Sequence, residues 1–197
     1  MYERKQCVCL NRVYSNTVTI EAGVPQGSIL GPLLFLIYIN DIVSDITSNV
    51  NLFADDTSLF MVVENPIITA DILNDELQKI NSWANKWFVT FNQAKTESML
   101  ISKYINKPDS PPLFMKNQQI TEVPEHKHLG VILSNDCSWS AHIKYVTEKA
   151  WKRINVIRSL KFTLNRRSLE TIYLSFIRPL LEYGDVIFDN LTNFKQN

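Results

Sequence analysis

The stretch ILGPLLFLIYINDI, residues 29–42, constrains this chain more than any other. Pro32 suits the first turn of a helix, where its missing N–H is harmless. From there to Ile39 the run is apolar nearly all round, so the helix is expected to be buried on most sides. Asn40 and Asp41 mark its more polar end. The run Leu33 to Ile39 is far shorter than the roughly 20 residues that a membrane span needs. The N-terminal MYERKQCVCLNRVY has only a short, interrupted apolar run, unlike a signal peptide. The expectation is a soluble, intracellular chain without a membrane partner.

Shortly after this helix comes NVNLFADDTSLFMVV, residues 49–63. Two strand-like runs, VNLF and TSLFMVV, are joined across ADD. Taken alone, Asp55 and Asp56 read as turn residues, because Asp bonds readily to nearby backbone. A second reading is a cation site. A hairpin tip is rigid, and hard cations such as Mg²⁺ take one or two carboxylates together with substrate phosphates.

The rest of the chain divides in character. KQCVCLN and NTVTIE, separated by RVYS, predict a hairpin, and AGVPQGS a loop punctuated by Gly23, Pro25 and Gly27. After Pro66, Leu73, Leu77, Ile80, Trp83, Ala84 and Trp87 recur at helical steps, with Asp71, Asp75, Lys79, Ser82 and Lys86 mostly opposite. The Trp83/Trp87 pair is most simply core. TESMLIS, LFMKNQQITEV and HKHLGVIL read as strands, and NKPDSPP as a loop. From Ser138 on, the pattern is helical. Ser138 or Ser140 can cap a helix to about Leu160, and NRRSLETIYLSFIRPLLEYG gives a second one, bent or stopped near Pro179. The expected fold class is α+β: residues 1–137 carry strands and packed helices, and residues 138–197 form a small helical domain.

Composition excludes some functions. Three cysteines, Cys7, Cys9 and Cys137, form no C-x-x-C pair, so a disulfide framework is not expected. His126, His128, Cys137 and His142 match no common zinc-finger spacing. The net charge is zero, yet Lys144 to Arg178 holds nine Lys/Arg against two Glu, a local +7 that leaves −7 elsewhere. That region is either a solvated basic face or a surface for a phosphate backbone.

The order of these motifs matters more than any one of them. GVPQGSILGPLLFLIYINDI, followed by LFADD, closely resembles the reverse transcriptase domain of non-LTR (LINE-type) retrotransposons, in particular the jockey-like group. The resemblance continues through LNDELQKINSWANKWFVTFNQAKTESMLIS with its W-x₃-W-x₄-N-x₂-K-T pattern, KHLGVIL and SLETIYLSFIRPLLEYGDVI. ERKQCV resembles the segment before the Gly-Pro-Gln loop, so essentially the whole chain is covered. The implied fold is the later part of a polymerase palm, an antiparallel sheet with packed helices, followed by a thumb-like helical region. The implied activity is RNA-directed DNA polymerisation: Mg²⁺- or Mn²⁺-dependent nucleotidyl transfer from dNTPs to a DNA primer on an RNA template.

The resemblance also implies roles. Asp55 and Asp56 match the catalytic [FY]-x-D-D pair. Asp55 would be the direct metal ligand, Asp56 its support, and Phe53 takes the aromatic position. Pro25, Gln26, Gly27 and Ser28 match the loop beneath the template base and incoming nucleotide. Their chemistry suits this, since glycine permits close backbone approach and Gln26 offers both a donor and an acceptor. Lys95 matches the lysine that neutralises or protonates the leaving pyrophosphate. Leu129, Gly130 and Val131 match the turn that holds the primer end. Read without the family, Gln26 and Lys95 are ordinary loop residues and Gly130 a strand kink.

His128 and Phe188 depart from the family pattern, which has an aromatic before LGV and Trp at the second position. The family's first catalytic carboxylate lies N-terminal to this segment, and before Val24 the acidic residues are only Glu3 and Glu21. The expectation is therefore an incomplete two-metal site, an open sheet edge and a chain inactive by itself. The alternative is a non-catalytic nucleic-acid-binding remnant of a mobile element. A nuclear location fits the family, but no Lys/Arg cluster reads as an import signal.

Overall fold

The structure, a computed structural model, describes residues 4–20, 23–24 and 27–188. Helices and short strands are mixed along the chain, as expected for α+β. The chain forms two compact units, Met1–Thr90 and Phe91–Asn197.

In the first unit, β1 (Arg4–Gln6) pairs antiparallel with β4 (Val18–Ile20), and β2 (Cys9–Leu10) with β3 (Val13–Tyr14). The expected hairpin is present, but its turn falls on Asn11 and Arg12, both at positive φ, as a tight two-residue turn demands. RVYS is thus strand at Val13 and Tyr14. Then come α1 (Leu30–Ile39), a 3₁₀ turn Asn40–Val43, β5 (Asn49–Phe53), β6 (Asp56–Phe60) and α2 (Pro66–Lys86).

Helix α2 follows its sequence closely. The Asn65 side chain accepts from the Ile67 and Ile68 amides at 3.0 and 3.3 Å, and Pro66 occupies the first turn. Leu77, Ile80 and Ala84 are buried, while Asp71, Asp75, Lys79, Ser82 and Lys86 are exposed. The helix ends where Phe88 turns to φ +56° and the Val89 amide bonds back to Ala84 O at 2.8 Å.

Helix α1 corrects the expectation of burial on most sides. Gly31 and Ile39 are buried, but Leu33, Leu36 and Ile37 are 53, 56 and 65% exposed. The packing that this unit gives the helix includes its C-terminal end, where Tyr38 lies edge-on to Trp83 and Trp87, with ring centroids 6.4 and 5.8 Å away. The Tyr38 hydroxyl donates to Trp87 O, and Trp83 Nε1 donates to Asp41 Oδ1 at 3.0 Å. The two tryptophans therefore join α1 to α2, in keeping with the reading that they are core residues.

The second unit begins with a 3₁₀ turn, Gln93–Lys95. β7 (Glu97–Ser98) pairs parallel with β10 (Thr121–Glu122), and β8 (Phe114–Met115) pairs antiparallel with β9 (Gln118–Gln119). TESMLIS is thus strand over only two residues. β11 (Glu125–His128) and β12 (Val131–Ser134) form an antiparallel hairpin. Three helices follow: α3 (Ser140–Leu160), α4 (Arg166–Ile172) and α5 (Arg178–Glu182), with a last turn α6 (Asp185–Phe188). Neither Ser138 nor Ser140 caps α3; its N-cap position is Trp139, without a side-chain cap bond. Asn165 does cap α4, accepting from the Ser168 amide at 2.9 Å. The expected bend near Pro179 takes the form of a π-helical turn, Tyr173–Ile177, just before it. The change to helix at residue 138 lies inside this second unit.

Candidate functional site

The β5–β6 hairpin is in register from Asn49↔Phe60 to Phe53↔Asp56, leaving Ala54 and Asp55 as a two-residue turn. Ala54 takes φ +51°, a conformation that costs a side-chain-bearing residue about 1–2 kcal/mol. Such strain persists only where the surrounding ladder imposes it. Asp55 is a turn residue, whereas Asp56 opens β6 opposite Phe53. Both carboxylates are exposed, and neither makes an ion pair or side-chain hydrogen bond among the described residues. Two adjacent unpartnered carboxylates on a fixed turn suit a hard cation that also keeps water or phosphate ligands. Among the described residues, no group of three or more His, Cys, Asp or Glu is arranged to hold a metal.

A residue that sequence reasoning missed fixes this hairpin. Glu76 is fully buried on α2. Its Oε1 accepts from the Thr47 amide at 2.8 Å, the Thr47 hydroxyl at 2.6 Å and the Ser48 amide at 2.9 Å; Oε2 accepts from the Ser48 hydroxyl. Burial pushes the carboxyl pKa up, but these four donors outweigh it and hold the group below its ordinary value. Thr47 and Ser48 immediately precede β5, so α2 anchors the strand that carries the Asp pair. The only sequence signal was an acidic residue at position 76 next to the apolar stripe of Leu73, Leu77 and Ile80.

The glycine loop is partly visible. Pro25 and Gln26 lie outside the described residues. Gly23 and Gly27 sit at φ +87° and +79°, which glycine adopts freely. The Arg4 guanidinium donates to Gly23 O. Ser28 Oγ accepts from the Gly31 amide at 3.0 Å, so this hydroxyl helps to start α1. Gly27 and Ser28 thus lead directly into the apolar helix.

Lys95 ends its 3₁₀ turn exposed, and it belongs to the second unit. The Leu129–Gly130 turn joins β11 to β12, and Val131 is buried. His126 pairs with Glu97 at 2.7 Å, and buried His142 accepts from the Ile132 amide at 3.1 Å through Nδ1.

Much of the basic region is tied to aromatic rings. Lys149 lies 4.4 Å from the centroid of Tyr145, Arg153 4.3 Å from Phe176, Arg158 5.6 Å from Trp151 and Lys161 4.5 Å from Phe162. Trp151 and Phe162 are nevertheless exposed, so these pairs also present cation and ring together to solvent. No helix among the described residues is long and apolar enough to cross a membrane.

Residues 4–145 match the family model of reverse transcriptase (RNA-dependent DNA polymerase). The chain is similar to the RNA-directed DNA polymerase from mobile element jockey of Drosophila funebris, 29% identical over 94% of this chain and 21% of that protein. It is also similar to two Drosophila melanogaster proteins, the probable RNA-directed DNA polymerases from transposon BS and transposon X-element. These are 25% and 26% identical over 92% of this chain and 21% of each relative. The chain therefore spans about a fifth of the length of these curated relatives. No solved structure matches it. Because that family model matches residues 4–145, most of the chain, the chain belongs to the reverse transcriptase (RNA-dependent DNA polymerase) family.

Proposed function

We propose that this chain is the later part of a polymerase domain that extends a DNA primer along an RNA template. In that reaction the primer 3′ oxygen attacks the α-phosphorus of a dNTP and pyrophosphate leaves. The observation that carries the reading is the exposed, unpartnered Asp55–Asp56 pair at the two-residue turn of β5–β6. Bound Mg²⁺, or Mn²⁺, supplies charge stabilisation of the attacking and leaving oxygens.

The chain's own residues do the rest. Asp55 binds the metal and Asp56 adds negative charge beside it. The loop of Pro25, Gln26, Gly27 and Ser28 supports the template base and incoming nucleotide. Phe53, exposed opposite Asp56, packs beside them. Lys95, exposed and cationic, neutralises or protonates the departing pyrophosphate. Leu129, Gly130 and Val131 hold the primer end. In this reading residues 1–137 are palm and residues 138–197 are thumb-like, with the basic helices on the phosphate backbone. A third carboxylate comes from a palm strand outside this chain. The uncovered face of α1 is a surface against which such a strand and its neighbours pack.

Primer extension tests this. The 197-residue chain is assayed alone and with the upstream polymerase segment of a jockey-type relative added in trans. The expected result is Mg²⁺-dependent extension only in the combination, lost in Asp55→Ala. No extension in either arm, with Mn²⁺ binding unchanged by Asp55→Ala, refutes it. Salt-sensitive RNA binding that survives Asp55→Ala without any extension points to the non-catalytic reading instead.

A further inference from the structure

We propose that Tyr183 is a positioning residue that sets the shape of the Leu129–Gly130 turn, and through it the seat of the primer terminus. The second half of this statement rests on the primer-holding role proposed above; the first half rests on geometry alone.

The turn is unusual in its sequence. Both of its residues take positive φ, +46° at Leu129 and +88° at Gly130. Two-residue hairpin turns of this kind favour Asn-Gly or Asp-Gly. Leucine has neither glycine's freedom nor a short polar side chain that bonds locally, so something else must hold it.

Tyr183 does so from 54 residues away in sequence. Its hydroxyl donates to Leu129 O at 2.6 Å. Its ring lies over Gly130, so that a Cβ built there would stand 3.1 Å from Tyr183 Cε1. One side chain thus engages both turn residues, the first by a hydrogen bond and the second by close packing.

Tyr183 is itself fixed by local chemistry. Helix α5 ends at Glu182, which bonds to Arg178 at 2.6 Å. Tyr183 then turns extended, with φ −66° and ψ 118°, and Gly184 takes φ +75°. Just behind the tip, the Ile132 amide on β12 donates to buried His142 of α3. The tip end of the hairpin is therefore held from two places, by Tyr183 and by α3. The contact with Leu129 O is one that a single hydroxyl deletion removes.

The test uses the full chain with Tyr183→Phe, which keeps the ring, and Gly130→Ala, which crowds it. Hydrogen exchange is followed in the segment 125–134, with α2 as internal control. Binding is measured for an RNA–DNA duplex with a recessed DNA 3′ end and for the same duplex with blunt ends. Loss of one hydrogen bond should speed exchange in segment 125–134 of Tyr183→Phe by about two- to ten-fold, with α2 unchanged. Preference for the recessed end should fall by a similar factor while blunt-duplex affinity stays the same. Gly130→Ala should show both effects more strongly.

Unchanged exchange in Tyr183→Phe overturns the proposal and leaves the primer-holding role of the turn standing. Faster exchange with an intact preference for the recessed end overturns the positioning role. Equal binding of recessed and blunt duplexes by the unaltered chain overturns the primer-holding role itself.

Discussion

Removing the carboxylate of Glu76 should loosen the hairpin that carries Asp55 and Asp56 without touching either residue. Glu76 is fully buried and accepts four hydrogen bonds from Thr47 and Ser48. A hydrogen bond to a charged group contributes about 1.5–3 kcal/mol, and a buried donor left unpaired costs about 1–3 kcal/mol. The contributions do not add, because the four bonds share one carboxylate. Thr47 is exposed and recovers water, while Ser48 is half-buried and recovers less. Glu76→Ala should therefore cost about 3 kcal/mol. Glu76→Gln keeps the shape but loses the charge and exchanges one acceptor oxygen for an NH₂ that cannot accept from the Ser48 hydroxyl, about 1–2 kcal/mol. The assay is urea unfolding of the first unit, with hydrogen exchange in β5 and β6 as the local readout.

The pH dependence gives a second arm. The folded-state pKa of Glu76 lies below its ordinary value of 4.5. Its stabilisation is therefore complete above 4.5 and lost as pH falls through the lower, folded value. The stability gap between the unaltered chain and Glu76→Gln should shrink over that acid window. A Glu76→Gln chain as stable as the parent at neutral pH, or a gap that stays constant on acidification, would refute the reasoning.

Other outcomes follow from the same geometry. Asp55→Ala removes one of the two charges at the turn. A divalent ion about 4 Å from a carboxylate in water-like surroundings gains about 2 kcal/mol, so Mn²⁺ affinity should fall by about thirty-fold in a titration, and Asp56→Ala should weaken it in the same direction. Ala54→Gly relieves a residue at φ +51° and should stabilise the hairpin by about 0.5–1 kcal/mol after the entropy of glycine is subtracted, read by exchange in β5 and β6. Asn65→Ala deletes the cap of α2 and should cost about 1 kcal/mol in urea unfolding. Burial lowers the His142 pKa from 6.5, so stability is full above 6.5 and declines as pH falls from there toward the folded value. His142→Gln should flatten that slope in thermal melts across mildly acidic pH.

The family was legible because its motifs are contiguous. The Gly-Pro-Gln loop, the apolar run and the carboxylate pair lie within residues 23–56, and their order alone carried the resemblance. The position of the Asp pair on a hairpin was also legible, since two apolar runs flank a short polar break. Asp56 as a strand residue was not, because strand register is set by the partner strand and not by the turn composition. The exposure of α1 is not legible in the sequence for a related reason. An apolar pattern states what a surface wants to meet, and only the packed chain shows that Leu33, Leu36 and Ile37 meet solvent.

What the sequence by itself determined is local: where α2 begins after Asn65, which of its faces is apolar, that a hairpin carries the Asp pair, and which family supplies the motif order. Those features depend on residues within a few positions of one another, through backbone preferences and side-chain periodicity. The tertiary structure decided the partnerships that hold the site: Glu76 with Thr47 and Ser48, Asp41 with Trp83, and Tyr183 with Leu129. Each joins segments 28 to 54 residues apart. No periodicity reports such a pairing, because a polar side chain has the same local preferences whether its distant partner is water or a buried backbone. Only the packing of helices and hairpins brings those donors and acceptors together.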